Sequence, residues 1–579
     1  MQRFSKLVLW ECHSRKLLNP DSYKRLSLLF DGMLILMAKC TSPLLMNNLL
    51  SMLSTLLVTV GRYPQLLVSL LSQLRRPLSD HVDDDIDEKS VKRHCIALLL
   101  RIVTIFADDI KGQAGTILEF CLSIRPFLSL MQLASCMQII AALSNLCVDF
   151  ATQNNFLSSA LSDSLHYFLQ TEIQEVFQSD IAFLSFFGFT SPAPANVAEA
   201  AKSSFMLNRR RFRAHLSTLE GIMAQTQSIA PPFHPAYSAF RPVLPAIFLL
   251  VKRLNSLYDP KNASVIHMSY GPISIFEITS SERQQLLTCE AFLFWIVAFL
   301  GQTLIGYFAS KAAKQLFSDS EIGSWSLFLS CHLTYIPDFR LRFWLRRTWK
   351  PFLCACPEAA YHSVRQLLLI VIEELSKRLQ SRWKQLTTLE CSEDEEPSQE
   401  QLLVEHMACI LTRECTILLR DLFGISDDVI GKIVECVFLC LTYRDATSVV
   451  RIIPVCRNVT ESLNERCSEG IAVFMLVQSI QSLQIHGSDE LAVTHLLSLV
   501  FFIYSSLRER FSSLSQILQQ VPECSVEEVE RLDRRIASMK CNKDFANEKM
   551  KREIMKKLLR TVIAASFFPQ LLRDDFSGC

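Results

Sequence analysis

Glycine is scarce: 15 of 579 residues, with 21 prolines. So few backbone punctuators exclude a β-rich domain built on hairpin turns, and period-2 alternation of apolar residues is almost absent. Twenty cysteines form no CxxC pair anywhere, which excludes a zinc ribbon or a thioredoxin-like redox centre. HExxH, GxSxG and a paired Cys/His ligand set are all missing. The one stretch resembling a phosphate loop, "GISDDVIGK" from Gly424 to Lys432, has six residues between its glycines and Ile433 where Ser or Thr would hold magnesium. An excess of one charge is also lacking, since 59 Lys and Arg balance 58 Asp and Glu to leave a net charge of +1. These absences point away from an enzyme and from any cofactor, and toward a binding function whose charge is local.

The start, "MQRFSKLVLWECHSRK", lacks the apolar core and small-residue cleavage site of a signal peptide. Most cysteines sit in apolar helical contexts, such as Cys436 and Cys440 in "VECVFLCL". Such residues act as small buried hydrophobes in a reducing compartment, so the expectation is an intracellular chain with chance glycosylation sequons at Asn262 and Asn458.

What is present is apolar helix. Apolar residues make up 50% of the chain, the mean hydropathy is +0.23, and long stretches repeat every 3.6 residues. That predicts an all-α protein with helices buried on more than one side. Ala291 to Ala309, "AFLFWIVAFLGQTLIGYFA", is long enough to span a membrane. No second run of that length is apparent and its flanks are amphipathic, so it reads as an interior helix of a stack, without membrane insertion. Helix pairs recur at about 40 residues, the period of HEAT or armadillo repeats that stack into a superhelical solenoid with a concave surface. The expected segments are 1–78, 89–173, 207–390 and 401–579, the last with helices near 401–423, 427–443, 467–485, 489–520 and 543–564. Between them lie an acidic loop at 79–88, a Pro/Ala/Ser-rich connection at 174–206 and a second acidic loop at 391–400.

Basic residues cluster on several of these helices. In "TYIPDFRLRFWLRRTWKPF", residues 334–352, Asp338 is the expected N-cap and Pro351 the expected stop. Leu341, Trp344, Leu345, Thr348, Trp349 and Phe352 gather on a face expected to be buried. Arg342, Arg346 and Lys350 stack on the other at i, i+4, i+8, with Arg340 and Arg347 nearby. Like charges so spaced repel by roughly 0.2–0.5 kcal/mol per pair. The stripe therefore expects something anionic opposite it, or else is a solvated face. Lys92 and Arg93 open an apolar helix in "SVKRHCIALLLRI", and "LNRRRFRAHL" concentrates Arg209, Arg210, Arg211 and Arg213. Near the C-terminus Lys549, Arg552, Lys556 and Arg560 form one stripe opposite Ile554, Leu558 and Val562. Several such stripes on one curved surface would suit a phosphate backbone. Aromatics for stacking on bases are few beyond Phe343, which favours a double-stranded ligand over a single strand.

In series, these motifs carry a resemblance. "YIPDFRLRFWLRRTWKPFLCACPEAAYHSV" with "RLQSRWKQL", "VKRHCIALLLRI", "LNRRRFRAHLSTLEGI", "EHMACILTREC", "LQIHGSDELAVTHLLSLVFFIYSSLRERF" and the acidic "CSEDEEPSQEQ" resemble the C-terminal half of the exportin-5 family of karyopherins, the importin-β-like nuclear export receptors. The likeness runs best from about 330 to 565. It implies a HEAT-repeat receptor that binds RanGTP, nuclear pore proteins and double-stranded RNA hairpins with a 3′ overhang, microRNA precursors among them, and that shuttles between nucleus and cytoplasm. It further implies that Lys92, Arg93, Arg209 and Arg211 line or approach a basic channel for the overhang. Arg342, Arg346, Lys350, Lys549, Arg552 and Lys556 join the expected RNA contacts on charge pattern alone. The family's chain is about twice as long, and its N-terminal repeats make the main Ran contact. Ala97 and Leu98 stand where the family has small polar residues. A scaffold that binds protein cargo or acidic partners without RNA stays open as the second reading.

Overall fold

A computed structural model describes residues 19–63, 65–79, 86–193, 203–270, 292–389, 398–422, 430–463, 467–541 and 547–564, and among these there is helix and no strand. The chain divides into two compact units, residues 1–335 and 336–579. Each is built from HEAT-like helix pairs packed in series, so the all-α repeat fold is as expected.

In the first unit the longer helices are α1 (Pro20–Lys39), α2 (Pro43–Leu53), α3 (Leu66–Ser79), α4 (Ile86–Ile105), α5 (Ala114–Ile124), α6 (Leu130–Ser144), α7 (Phe150–Leu169), α8 (Ser204–Gln225), α9 (Leu244–Ser256) and α10 (Ala298–Lys311). They form two rows. α1, α3 and α5 pack side by side in one, and α2, α4, α6, α8 and α10 in the other. Local chemistry sets the helix starts. Asn19 accepts the Ser22 amide ahead of Pro20, Ser42 that of Leu45, and Asp149 that of Thr152, while Ser129 and Gln132 make a reciprocal capping box. α6 and α8 approach closely at Gly221, where a Cβ would meet the Gln138 side chain. The expected connection at 174–206 is partly helical, with short helices at Thr171–Val176 and Asp180–Phe186.

The long apolar segment lies inside this unit. Ala291 is outside the described residues. From Phe292 the chain enters a π-turn over Leu293–Val297 and continues as α10, burying Leu304, Ile305, Phe308 and Ala309. Lys311 ends the helix with its ammonium on the carbonyls of Met223, Ala224 and Thr226, at 2.7, 2.6 and 3.1 Å, so it caps the C-terminus of α8. One expectation is corrected: by length and hydropathy a second helix, Glu490–Leu507, would also suffice to cross a membrane. The sequence expectation of one helix over 489–520 merges it with the charged run Arg508–Arg510, whereas the structure ends it at Leu507 and starts a separate helix at Ser513. Both helices are mostly buried against neighbours.

The second unit contains α11 (Asp338–Trp344), α12 (Lys350–Cys354), α13 (Tyr361–Leu389), α14 (Gln399–Leu422), α15 (Ile430–Leu439), α16 (Ala446–Ser462), α17 (Glu469–Ile485), α18 (Glu490–Leu507), α19 (Ser513–Gln519), α20 (Val526–Cys541), α21 (Glu548–Leu558) and α22 (Arg560–Ala564). Two rows recur. α11 and α12 pack on α14, followed by α16, α18 and α21, while α13, α15 and α17 line the other row. α16 and α20 are absent from the sequence prediction. Of the expected acidic loops 79–88 and 391–400, residues 80–85 and 391–397 lie outside the described residues, while Ser79 ends α3, 86–88 open α4 and 399–400 open α14.

Candidate nucleic-acid interface

The Arg-rich segment at the head of the second unit differs from its prediction at both ends. Asp338 does not cap the helix. Pro337 holds the N-cap position, and the buried Asp338 carboxylate receives Arg378 Nη1 at 3.0 Å and Arg382 Nε at 2.6 Å from α13. Pro351 does not stop the helix. Leu345–Trp349 winds as a π-turn, with the Lys350 amide bonded to the Leu345 carbonyl, and the chain carries Pro351 into α12. A proline lacks the N–H that an α-helix would use there, and the wider turn accommodates its ring. The predicted buried face is buried throughout: Leu341, Trp344, Leu345, Thr348, Trp349 and Phe352.

The opposite stripe faces acid from its own unit. Glu414, whose side chain is 6% exposed, takes Arg346 Nε at 2.7 Å and a second contact from Arg346 Nη2, and lies 3.5 Å from Arg342 Nε. Seven residues on, Asp421 meets Lys350 Nζ at 2.6 Å and Arg420 Nε at 2.9 Å. Burial raises the Asp421 carboxyl, but hydrogen bonds from Lys350 and Arg420 outweigh it and hold the group below its ordinary range. Two turns of α14 thus present two carboxylates to three basic side chains. The anion expected opposite the stripe is an acidic face of the neighbouring helix. Sequence reasoning missed Glu414 and Asp421, although their i, i+7 spacing on one face of a long helix was the available signal.

Two other candidates lie in the interior. Lys92 is buried in α4 and donates its ammonium to the Phe127 carbonyl at 3.1 Å. Arg209 is buried in α8, with Nε on the Phe187 carbonyl at 2.8 Å and its guanidinium 4.0 Å above the Phe189 ring. Both are corrections to the expected RNA contacts. Each charge is spent on a carbonyl that ends a helix or turn, and neither faces solvent.

Arg93 and Arg211 are exposed. Arg93 donates to Ser90 Oγ at 3.4 Å on its own helix, and Arg210 is exposed beside Arg211. Their helices, α4 and α8, flank α6. Arg213 is half-buried, and burial lowers its pKa. At the other end of the chain Lys549 and Lys556 on α21 are exposed, while Arg552 Nε is turned back to the Glu548 carbonyl at 3.2 Å. Arg560 pairs with Glu523 at 3.0 Å. The buried face of this last stretch is Met555, Leu558, Leu559 and Val562, with Ile554 half-exposed. Among the described residues no group of three or more His, Cys, Asp or Glu could hold a metal ion. The surface can therefore offer guanidinium and ammonium groups to a polyanion from four of the ten sequence candidates: Arg93, Arg211, Lys549 and Lys556.

Comparison with known proteins agrees with the motifs. Residues 418–571 match the Exportin-5 family. The chain is 21% identical to Exportin-5 of Mus musculus over 643 aligned positions, covering 93% of this chain and 53% of that protein. Against Exportin-5 of Homo sapiens it is 20% identical, covering 92% of this chain and 52% of that protein. It thus spans about half the length of the curated relatives that it matches. Distant in identity but sustained over nine-tenths of the chain, the likeness read from the sequence motifs is a likeness to the exportin-5 family.

Proposed function

We propose that this chain is the helical-repeat part of a nuclear export receptor, and that it binds structured double-stranded RNA, such as hairpins with a 3′ overhang, together with RanGTP. The observation that carries the reading is the sustained exportin-5 likeness, since charge alone is ambiguous. Arg93 and Arg211 in the first unit, and Lys549 and Lys556 in the second, are the phosphate contacts. Lys92 and Arg209 support them from inside. Nuclear pore proteins are the remaining partners, and the receptor shuttles between nucleus and cytoplasm.

The neutralisation of Arg342, Arg346 and Lys350 favours a second reading, in which the chain is a scaffold for protein cargo. Polyanion binding scales with the number of uncompensated cations, and this segment supplies few. Titration of the purified chain with a labelled overhang hairpin across a salt series, with blunt and single-stranded controls and with or without RanGTP, separates the two. Overhang-selective binding that RanGTP strengthens, with log K falling by about 0.9 per neutralised phosphate for each decade of salt, supports the export reading. Weak binding indifferent to RNA form and to RanGTP supports the scaffold.

A further inference from the structure

The loop "FSDSEIG", residues 317–323, carries chemistry that the binding reading leaves unused. It joins two short helices of the first unit, Ala313–Leu316 and Ile322–Phe328, and Ser318 and Ser320 are both exposed in it. Ser318 is followed by Asp319 and, three residues on, by Glu321, whereas Gly323 holds that third position after Ser320. A serine with carboxylates on its C-terminal side is the charge pattern that acidophilic protein kinases select, since their clefts set lysine and arginine side chains there. The two acids are not equivalent. Asp319 is 6% exposed and takes Arg241 Nε at 2.9 Å, while Glu321 is 53% exposed and stands 3.7 Å from the same guanidinium. Glu321 is therefore the determinant that an enzyme can reach.

The fold favours this acceptor over others. Thr116, Ser217 and Ser506 have an acid at the same spacing, but they lie inside α5, α8 and α18, and a kinase cleft takes its substrate as an extended stretch. Ser525 lies outside a helix, yet its acid, Glu528, is held in a reciprocal cap, with the Ser525 amide on Glu528 Oε2 at 3.4 Å and the Glu528 amide on Ser525 Oγ at 3.3 Å. Ser318 has neither restraint. A cation also lies close to it. Ser318 Oγ donates to the Lys314 carbonyl at 2.6 Å, one helical turn back, and the exposed Lys314 ammonium rests 4.8 Å from the centre of the Phe233 ring.

We propose that Ser318 is a phosphorylation site for an acidophilic serine/threonine kinase. Its hydroxyl oxygen attacks the γ-phosphorus of ATP, the bond from that phosphorus to the β,γ-bridging oxygen breaks, ADP leaves, and the hydroxyl proton passes to the kinase's catalytic carboxylate. The product gains a charge of about −1.5 to −2 at pH 7. Lys314 then leaves the Phe233 ring for the phosphate, because a charge-assisted hydrogen bond outweighs a cation–π contact at an exposed site. This site is independent of the RNA reading.

The test incubates the full chain with ATP and casein kinase 2 and maps phosphate by mass spectrometry. Ser318 should be modified and Ser320 about ten-fold more slowly, and Glu321→Gln should slow Ser318 by a similar factor. Circular dichroism should report an unchanged fold for that variant, which keeps the acceptor and alters one exposed side chain. In phosphorus NMR of the modified chain, Lys314→Met should raise the second pKa of the phosphate, since it removes a neighbouring cation; a pKa that the variant leaves in place overturns the pairing with Lys314. A synthetic peptide of residues 313–328 serves as a control for the enzyme. If the peptide is modified and Ser318 of the folded chain is not, the loop is closed to the kinase and the proposal is overturned; if neither is modified, the sequence is not a substrate and it is overturned too. Equal modification of Ser318 and Ser320, or a rate at Ser318 untouched by Glu321→Gln, overturns it as well.

Discussion

Glu414 holds Arg346 in a two-point fork, with Nε 2.7 Å from one carboxylate oxygen and Nη2 on the other. Arg342 stands 3.5 Å from the same group. A single buried carboxylate therefore reconciles two guanidiniums that would otherwise repel along one face of the Arg-rich segment, and it does so where α11 and α12 meet α14.

Replacing that carboxylate, Glu414→Gln, should lower the stability of the second unit by about 1.5–3 kcal/mol, the range for a lost hydrogen bond to a charged group. The low end of that range is expected, because both arginines are more than a third exposed and partly screened. The same change frees two cations. Affinity for any RNA should rise, and the salt slope should steepen by up to about 2. Urea unfolding measures the first effect and a hairpin titration at several salt concentrations the second. An unchanged slope would mean that the arginines find other acids.

Arg209 and Arg211, two residues apart, should behave as opposites. Arg209→Met strips the Phe187 carbonyl of its donor and the Phe189 ring of its cation, and should cost roughly 2–4 kcal/mol. Arg211→Ala and Arg93→Ala should alter stability by no more than about 0.5 kcal/mol. Each of the two alanine variants should instead make the salt dependence of RNA binding shallower by about 1. Thermal melts and RNA titrations on the three variants check this division.

That pair also marks where sequence reading stops. Periodicity located most long helices to within a few residues, because a helix that buries a stripe must display it in sequence. α16 went unseen because Pro454 sits inside it. A proline normally ends a helix, yet here packing against α14 and α18 carries the helix through it. The basic residues were visible as clusters, but their depth was not. A run such as Arg209–Arg213 circles more than one turn, so at least one member must point inward. Nothing in the run says that the inward position holds a carbonyl and an aromatic ring. Likewise Glu414 and Asp421 lie more than sixty residues from the stripe that they neutralise, a relation only the fold supplies.

Acid should weaken the first unit through His234. The ring is buried beside Lys311, and burial first, then that neighbouring cation, pushes its pKa down to about 4. In the unfolded chain the group titrates near 6.5. The unfolded state therefore binds the extra proton between those values, and stability falls as pH drops from about 6.5 toward 4. The size of the loss is roughly 3 kcal/mol at about 1.4 kcal/mol per pH unit. Half-buried His215, which burial also depresses, adds in the same direction. Melting temperatures across pH 4–7 for the parent and for His234→Gln test this, and the variant should show the flatter curve.

Gly188 is where backbone geometry and the Arg209 anchor meet. Its φ is +74°, and a Cβ there would run into the Phe205 ring at the start of α8. Its carbonyl accepts the Tyr270 hydroxyl at 3.0 Å. On either side, Phe187 offers Arg209 its carbonyl and Phe189 its ring. Gly188→Ala combines a left-handed residue with a side-chain clash and should cost roughly 2–4 kcal/mol. Gly32→Ala, in a helix with open space around it, should instead stabilise by about 0.5–1 kcal/mol. Urea midpoints of the two variants should move in opposite directions. If Gly188→Ala left the midpoint in place, the turn would not be what holds Phe187 and Phe189 against Arg209.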